Sequence, residues 1–199
     1  MDEIGTVRIE AFSDGVFAIA ATLLVLEVRV PVANGNLLSA LLSAWPSYAT
    51  YAVSFLTIGI IWMNHHAIFD HLRRVDRPLW ILNLVLLLLV ALVPFPTALL
   101  ATYLQAHHDE SVAGAAYGTI MTLMGVAFGT LWAYVLRKDE LRATTIDAAT
   151  KRKLLLRFTG GAPAYAAGIA LALVNAKLSL VLYAALTLYY LWWPVPTHR

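Results

Sequence analysis

Arg8, Ser13 and Asp14 stand at the start of an apolar block that runs to about Val30. Ionisable groups in or just below such a block are costly in lipid and mark ion paths, proton relays or interhelical contacts. On a helix turning 100° per residue, Arg8 and Asp14 project about 120° apart and cannot readily pair. Each needs a partner at the same level. Asn64, His65, His66 and Asp70 lie at the end of the second apolar block, with Trp62 and Asn83 close by. Two chemistries fit this set: a polar clamp that ties helices together, or groups that touch permeating ions.

Beyond Asp14 the chain reads GVFAIAATLLVLEV. Ile19, Leu23 and Leu26 recur at i, i+4 and i+7, which places bulky aliphatics on one narrow face, with Phe12 below them. Ala11, Gly15, Ala18 and Thr22 form a neighbouring stripe of small residues, which lets helices approach closely in lipid. The bulky face suits contact with lipid or with another helix. It equally suits a hydrophobic constriction that gates by dewetting. The histidines invite a metal reading, but His66 and His71 are five residues apart and no HExxH pattern is present. No TVGYG filter, phosphate-binding loop, GxSxG elbow or dinucleotide fingerprint occurs, so neither an enzyme nor a bound cofactor is expected.

The elements that must carry these residues follow from composition. Of 199 residues, 60% are hydrophobic and only 13% charged, and the mean hydropathy is +0.72. A helix crosses a bilayer core of about 30 Å with roughly 20 apolar residues. Several blocks meet that length, and six helices are read at about residues 8–30, 37–69, 79–103, 112–136, 154–174 and 178–193. The expected fold is therefore all-α: a single polytopic six-helix transmembrane domain over residues 1–199. Pro46 marks a helix start or a kink in the second block, and Pro94-Phe95-Pro96 interrupts the third. Asn34-Gly35-Asn36 and Asn175-Ala176-Lys177 read as turns.

Basic residues collect in the loop after the second helix (Arg73, Arg74, Arg77) and in the linker after the fourth (Arg137, Lys138, Arg142, Lys151, Arg152, Lys153). By the positive-inside rule both termini are cytoplasmic. Tyr103, Tyr189, Tyr190, Trp192 and Trp193 stand at helix ends as interfacial anchors. The N-terminal segment lacks the pattern of a cleavable signal. With no cysteine there are no disulfides, and a net charge of +2 gives no reason to expect nucleic acid. The polar start of the first helix occurs once, which disfavours an inverted-repeat transporter and points to a path formed between subunits.

The run Arg8-x-x-x-Phe12-Ser13-Asp14-Gly15 resembles the RxxxFSD hallmark of the transmembrane-protein-175 family of potassium channels, in its bacterial branch. The likeness continues through FAIAATLLVLEV, Trp62-Met63-Asn64-His65-His66 and Val93-Pro94-Phe95-Pro96-Thr97, and in the second half rests on helix order and the basic linker. This resemblance implies a potassium-permeable cation channel: a homotetramer, since the motif occurs once, in the inner (plasma) membrane. It implies that the first helices line the pore and that Ile19, Leu23 and Leu26 form its narrowest part, with Thr22 beside them. Arg8, Phe12, Ser13 and Asp14 match the structural motif. Trp62, Asn64, Asn83 and either His65 or His66 are its expected partners. The rival readings are a proton-coupled secondary transporter using Asp14 and the histidines, and a non-conducting scaffold.

Overall fold

The computed structural model describes residues 6–31, 35–143 and 147–192. Helices account for nearly all of them. In chain order they are α1 (Thr6–Leu23), α2 (Leu37–Ser43), α3 (Trp45–Phe69), α4 (Arg77–Leu92), α5 (Pro94–Ala106), α6 (Glu110–Arg137), α7 (Ala148–Thr159), α8 (Gly161–Val174) and α9 (Ala176–Trp192). Five stretches are long and apolar enough to cross a membrane: Thr6–Glu27, Trp45–Phe69, Arg77–Ala106, Glu110–Arg137 and Ala148–Val174. The sixth, Ala176–Trp192, has 17 residues, the lower end of the spanning range.

The differences from the expected boundaries have local causes. The first block is not α-helical to Val30: α1 stops at Leu23 and continues as a 3-10 turn over Leu24–Glu27. Thr22 donates its hydroxyl hydrogen to the Ala18 and Ile19 carbonyls. This back-bonding competes with the regular ladder, and the β-branched Val25 and Val28 follow. The second block divides at Ala44, because Pro46 has no N–H to continue a ladder and sits in the first turn of α3 instead. Pro94 and Pro96 separate α4 from α5, yet Thr97 donates both its amide and its hydroxyl hydrogen to the Val93 carbonyl, so the two remain one span. The fifth block begins earlier than expected, as the basic helix α7. Asp147 caps it through Thr150, whose hydroxyl and amide hold the Asp147 carboxyl below its usual range. Asn36 and Asn175 cap α2 and α9, accepting from two backbone amides each. Asn34 and Trp193 lie outside the described residues.

α6 is the central post, packing most extensively on α8 and also on α4, α5, α7 and α9, whereas α1 packs mainly on α3 and α4. Several buried hydroxyls inside the apolar bundle pair across helices, as the absence of water favours. Ser54 bonds Thr97 at 2.7 Å and Tyr117 at 3.0 Å, and Thr57 bonds Thr187 at 3.0 Å. The loop after α3 and the linker after α6 meet at one end of the bundle. There the Arg73 amide donates to the Leu141 carbonyl and the Ala143 amide to the His71 carbonyl. The two most basic segments therefore share one side, as an even number of crossings between them requires.

Gly118 and Gly168 flank the fully buried Tyr183 ring, and a Cβ built at either would overlap that ring. Overpacking of this kind costs about 1–3 kcal/mol. Gly168→Ala is expected to lower the midpoint of thermal unfolding in detergent by several degrees, read by size-exclusion survival after heating.

Candidate functional site

α1 has two faces of different character. Ile9, Ser13, Phe17, Ala20 and Leu24 are buried against α3 and α4. Phe12, Ile19, Leu23 and Leu26 lie roughly 110° round the helix and are uncovered by this chain, at 58%, 60%, 42% and 70% of their surface. The 3-10 turn matters here. With about three residues per turn over Leu24–Glu27, Leu26 stays close to the direction of Leu23. Thr22 is exposed beside them.

The buried face is fixed by a chain of hydrogen bonds across three helices. Ser13 Oγ donates to the Ile9 carbonyl at 2.8 Å. Asn83 Nδ2 on α4 donates to Ser13 Oγ at 3.0 Å. Asn83 Oδ1 then faces His65 Nε2 on α3 at 2.8 Å. An amide oxygen only accepts, so His65 carries its proton on Nε2 and the chain runs in one direction, His65 to Asn83 to Ser13 to Ile9. Ser13, His65 and Asn83 are each almost completely buried. The His65 ring is held between Phe69, stacked at 4.4 Å, and Phe17, edge-on at 5.3 Å.

A second tie lies at the uncovered side. Trp62 Nε1 donates to Asp14 Oδ1 at 2.8 Å. Trp62 also stacks on His66, whose Nε2 lies 3.7 Å from an Asp70 oxygen. His65 is thus the histidine brought to the Ser13 position, and His66 stands behind Trp62. Asn64 joins neither tie. It lines a small pocket of about 70 Å³ with Thr57, Ile60, Met121 and Tyr165, because one residue from His65 is 100° round α3. Arg8 is exposed one turn before the clamp. Between α1 and α3, a groove of about 340 Å³ opens beside Asp14, lined by Ala18, Ala21, Phe55, Gly59 and Trp62.

Residue patterns alone did not reveal the aromatic box around His65 or the Ser54–Thr97–Tyr117 cluster. Hydroxyls recurring along α3 at Thr50, Ser54 and Thr57 were the available signal for the second. Among the described residues no group of three or more histidine or acidic side chains could hold a metal. His107 and His108 pair instead with Glu110 and Asp109 in an exposed turn.

These ties are built from the segment that matches a family model. The model described as endosomal/lysosomal potassium channel TMEM175 matches residues 8–94, from Arg8 to the first proline of α5. A Streptomyces collinus protein named a potassium channel is 48% identical, the match covering 100% of this chain and 98% of that protein. A Chamaesiphon minutus protein, also named a potassium channel, is 42% identical over 93% of each. The crystal structure of a lysosomal potassium-selective channel TMEM175 homolog from Chamaesiphon minutus superposes with a TM-score of 0.84 at 39% identity, over 94% of this chain and 96% of that one. The chain is a multi-pass membrane protein and belongs to the TMEM175 family.

Proposed function

We propose that this chain forms a potassium-permeable cation channel in which α1 from each of four copies lines a common pore. The observation that carries this reading is the uncovered face of α1. A spanning helix clamped by one face to its own subunit, with Ile19, Leu23 and Leu26 projecting from another, is arranged to meet copies of itself around an axis. The names of the relatives supply the ion. The groove between α1 and α3 beside Asp14 is the place for side chains of a neighbouring copy.

In this reading the ion path narrows at rings of Ile19, Leu23 and Leu26. Such rings offer no oxygens to replace hydration water. Conduction then requires the ring to widen, or the ion to pass partly hydrated, and K⁺ over Na⁺ selectivity is moderate. Thr22 supplies the nearby hydroxyl. The Ser13–Asn83–His65 chain and the Asp14–Trp62 bond set the angle at which α1 enters the assembly. No cofactor is needed. The membrane is the inner (plasma) membrane, with both termini cytoplasmic and the basic end of the bundle inside.

Purified protein in planar bilayers tests this. Ohmic single-channel currents carried by K⁺ are expected. Saturable uptake that depends on a counter-ion would establish a transporter, and background flux would establish a scaffold. Asp14→Ala should chiefly reduce the yield of assembled tetramer on size exclusion, by several-fold. Intact tetramers with abolished permeation would instead make Asp14 an ion site.

A further inference from the structure

Away from α1, a groove of about 420 Å³ runs along α6 between α4 and the α7–α8 junction. Its floor is Gly125, Gly129 and Ala133, and Leu82, Thr159 and Ala162 form its sides. The two threonines that line it, Thr130 and Thr159, turn their hydroxyl hydrogens inward to the Val126 and Leu155 carbonyls. These walls therefore present methyl and methylene groups, with the Tyr134 ring beside them and its hydroxyl turned to Asp76. Arg137 closes one end of the groove and is exposed. From Gly125 to Arg137 is twelve residues, about 18 Å of helix, close to one leaflet of a hydrocarbon core about 30 Å thick.

Basic groups outnumber acidic ones at that end, where Asp76 keeps its charge beside the groove-lining Tyr134. Asp139 is held by Arg142 and Lys151, Glu140 pairs with Lys138, and Asp76 accepts from the Tyr134 hydroxyl. The Lys151–Asp139 contact pins the first turn of α7 beside the end of α6, so exposed Arg152 and Lys153 arrive at the same level. No acidic partner meets Arg137, Arg152 or Lys153 among the described residues. A basic cluster just beyond a spanning helix attracts anionic headgroups. We propose that this groove is a site for one anionic phospholipid of the leaflet on that side, its acyl chain lying over Gly125, Gly129 and Ala133 and its phosphate against Arg137.

The full chain, purified from vesicles of equal parts phosphatidylglycerol and phosphatidylcholine, tests the site by native mass spectrometry of retained lipid. Phosphatidylglycerol should be retained preferentially. Arg137→Gln should cut that preference about fivefold, the contribution of one basic residue at an anionic surface, while Arg137→Lys keeps most of it. Ala133→Phe, which fills the groove, should reduce retention of both lipids with the oligomer intact. Equal retention of the two lipids by the unaltered chain would overturn the proposal, and decides the matter even if a variant fails to fold. So would an unchanged preference in Arg137→Gln, or loss of the oligomer in Ala133→Phe, which would make the groove an interface between copies.

Discussion

Leu23→Ala should raise K⁺ conductance about tenfold and lower the K⁺/Na⁺ permeability ratio. Four copies of the change would widen the ring and admit water where leucine excludes it. A barrier lowered by about 1.4 kcal/mol suffices for that factor, small beside the cost of stripping an ion in an apolar passage. In the proposed pore, the near three-residue turn over Leu24–Glu27 would stack the Leu23 and Leu26 rings as one double constriction. Leu26→Ala should therefore act in the same direction, and the double variant should exceed either alone. Ile19→Asn replaces an aliphatic by an amide and should wet the passage from the other side of Thr22. Single-channel conductance and reversal potentials under K⁺/Na⁺ gradients read these effects. Unchanged currents in all three variants would place the face against lipid or another helix, not an ion path.

The rings depend on geometry that was only partly legible in the sequence. Length and hydropathy located the six apolar blocks, since a bilayer of fixed thickness imposes a fixed count of apolar residues. They could not show where a block breaks. Whether Pro46 kinks or starts a helix depends on whether the preceding turn has packing to hold it, and α2 has no buried residue. Periodicity gave the Ile19, Leu23 and Leu26 face, but on α-helical spacing. The 3-10 turn that keeps Leu26 close to the direction of Leu23 arises from Thr22 back-bonding, which no wheel displays. Around the clamp, adjacency in sequence made Asn64, His65 and His66 look equivalent. On a helix they point 100° apart, and only the one facing α4 can reach Asn83. Asn83 itself was readable as an amide in an otherwise apolar span. Ser13 and the histidine pair were readable beside it, but not the choice of His65 over His66, which depends on a rotation of α3 set by Phe17, Phe69 and the rest of the core.

That dependence makes Asn83 the most consequential residue outside the proposed pore face. Asn83→Leu should lower the thermal midpoint of the assembled protein by about 5 °C, from a loss of roughly 2 kcal/mol. The leucine neither donates to Ser13 Oγ nor accepts from His65 Nε2, and both would remain buried without that partner. Polar pairs in membrane helices average nearer 0.6 kcal/mol in double-mutant cycles. The larger expected value comes from stranding two groups at once in a dry, aromatic-lined pocket. The triple variant Ser13→Ala, Asn83→Leu, His65→Phe removes the stranded groups together and should regain most of the loss. It should also conduct, since none of the three faces the proposed ion path. Scanning fluorimetry and bilayer recordings on the same preparations separate the possibilities. A triple variant that assembles but carries no current would show that His65, Asn83 and Ser13 serve permeation and not only the packing of α1.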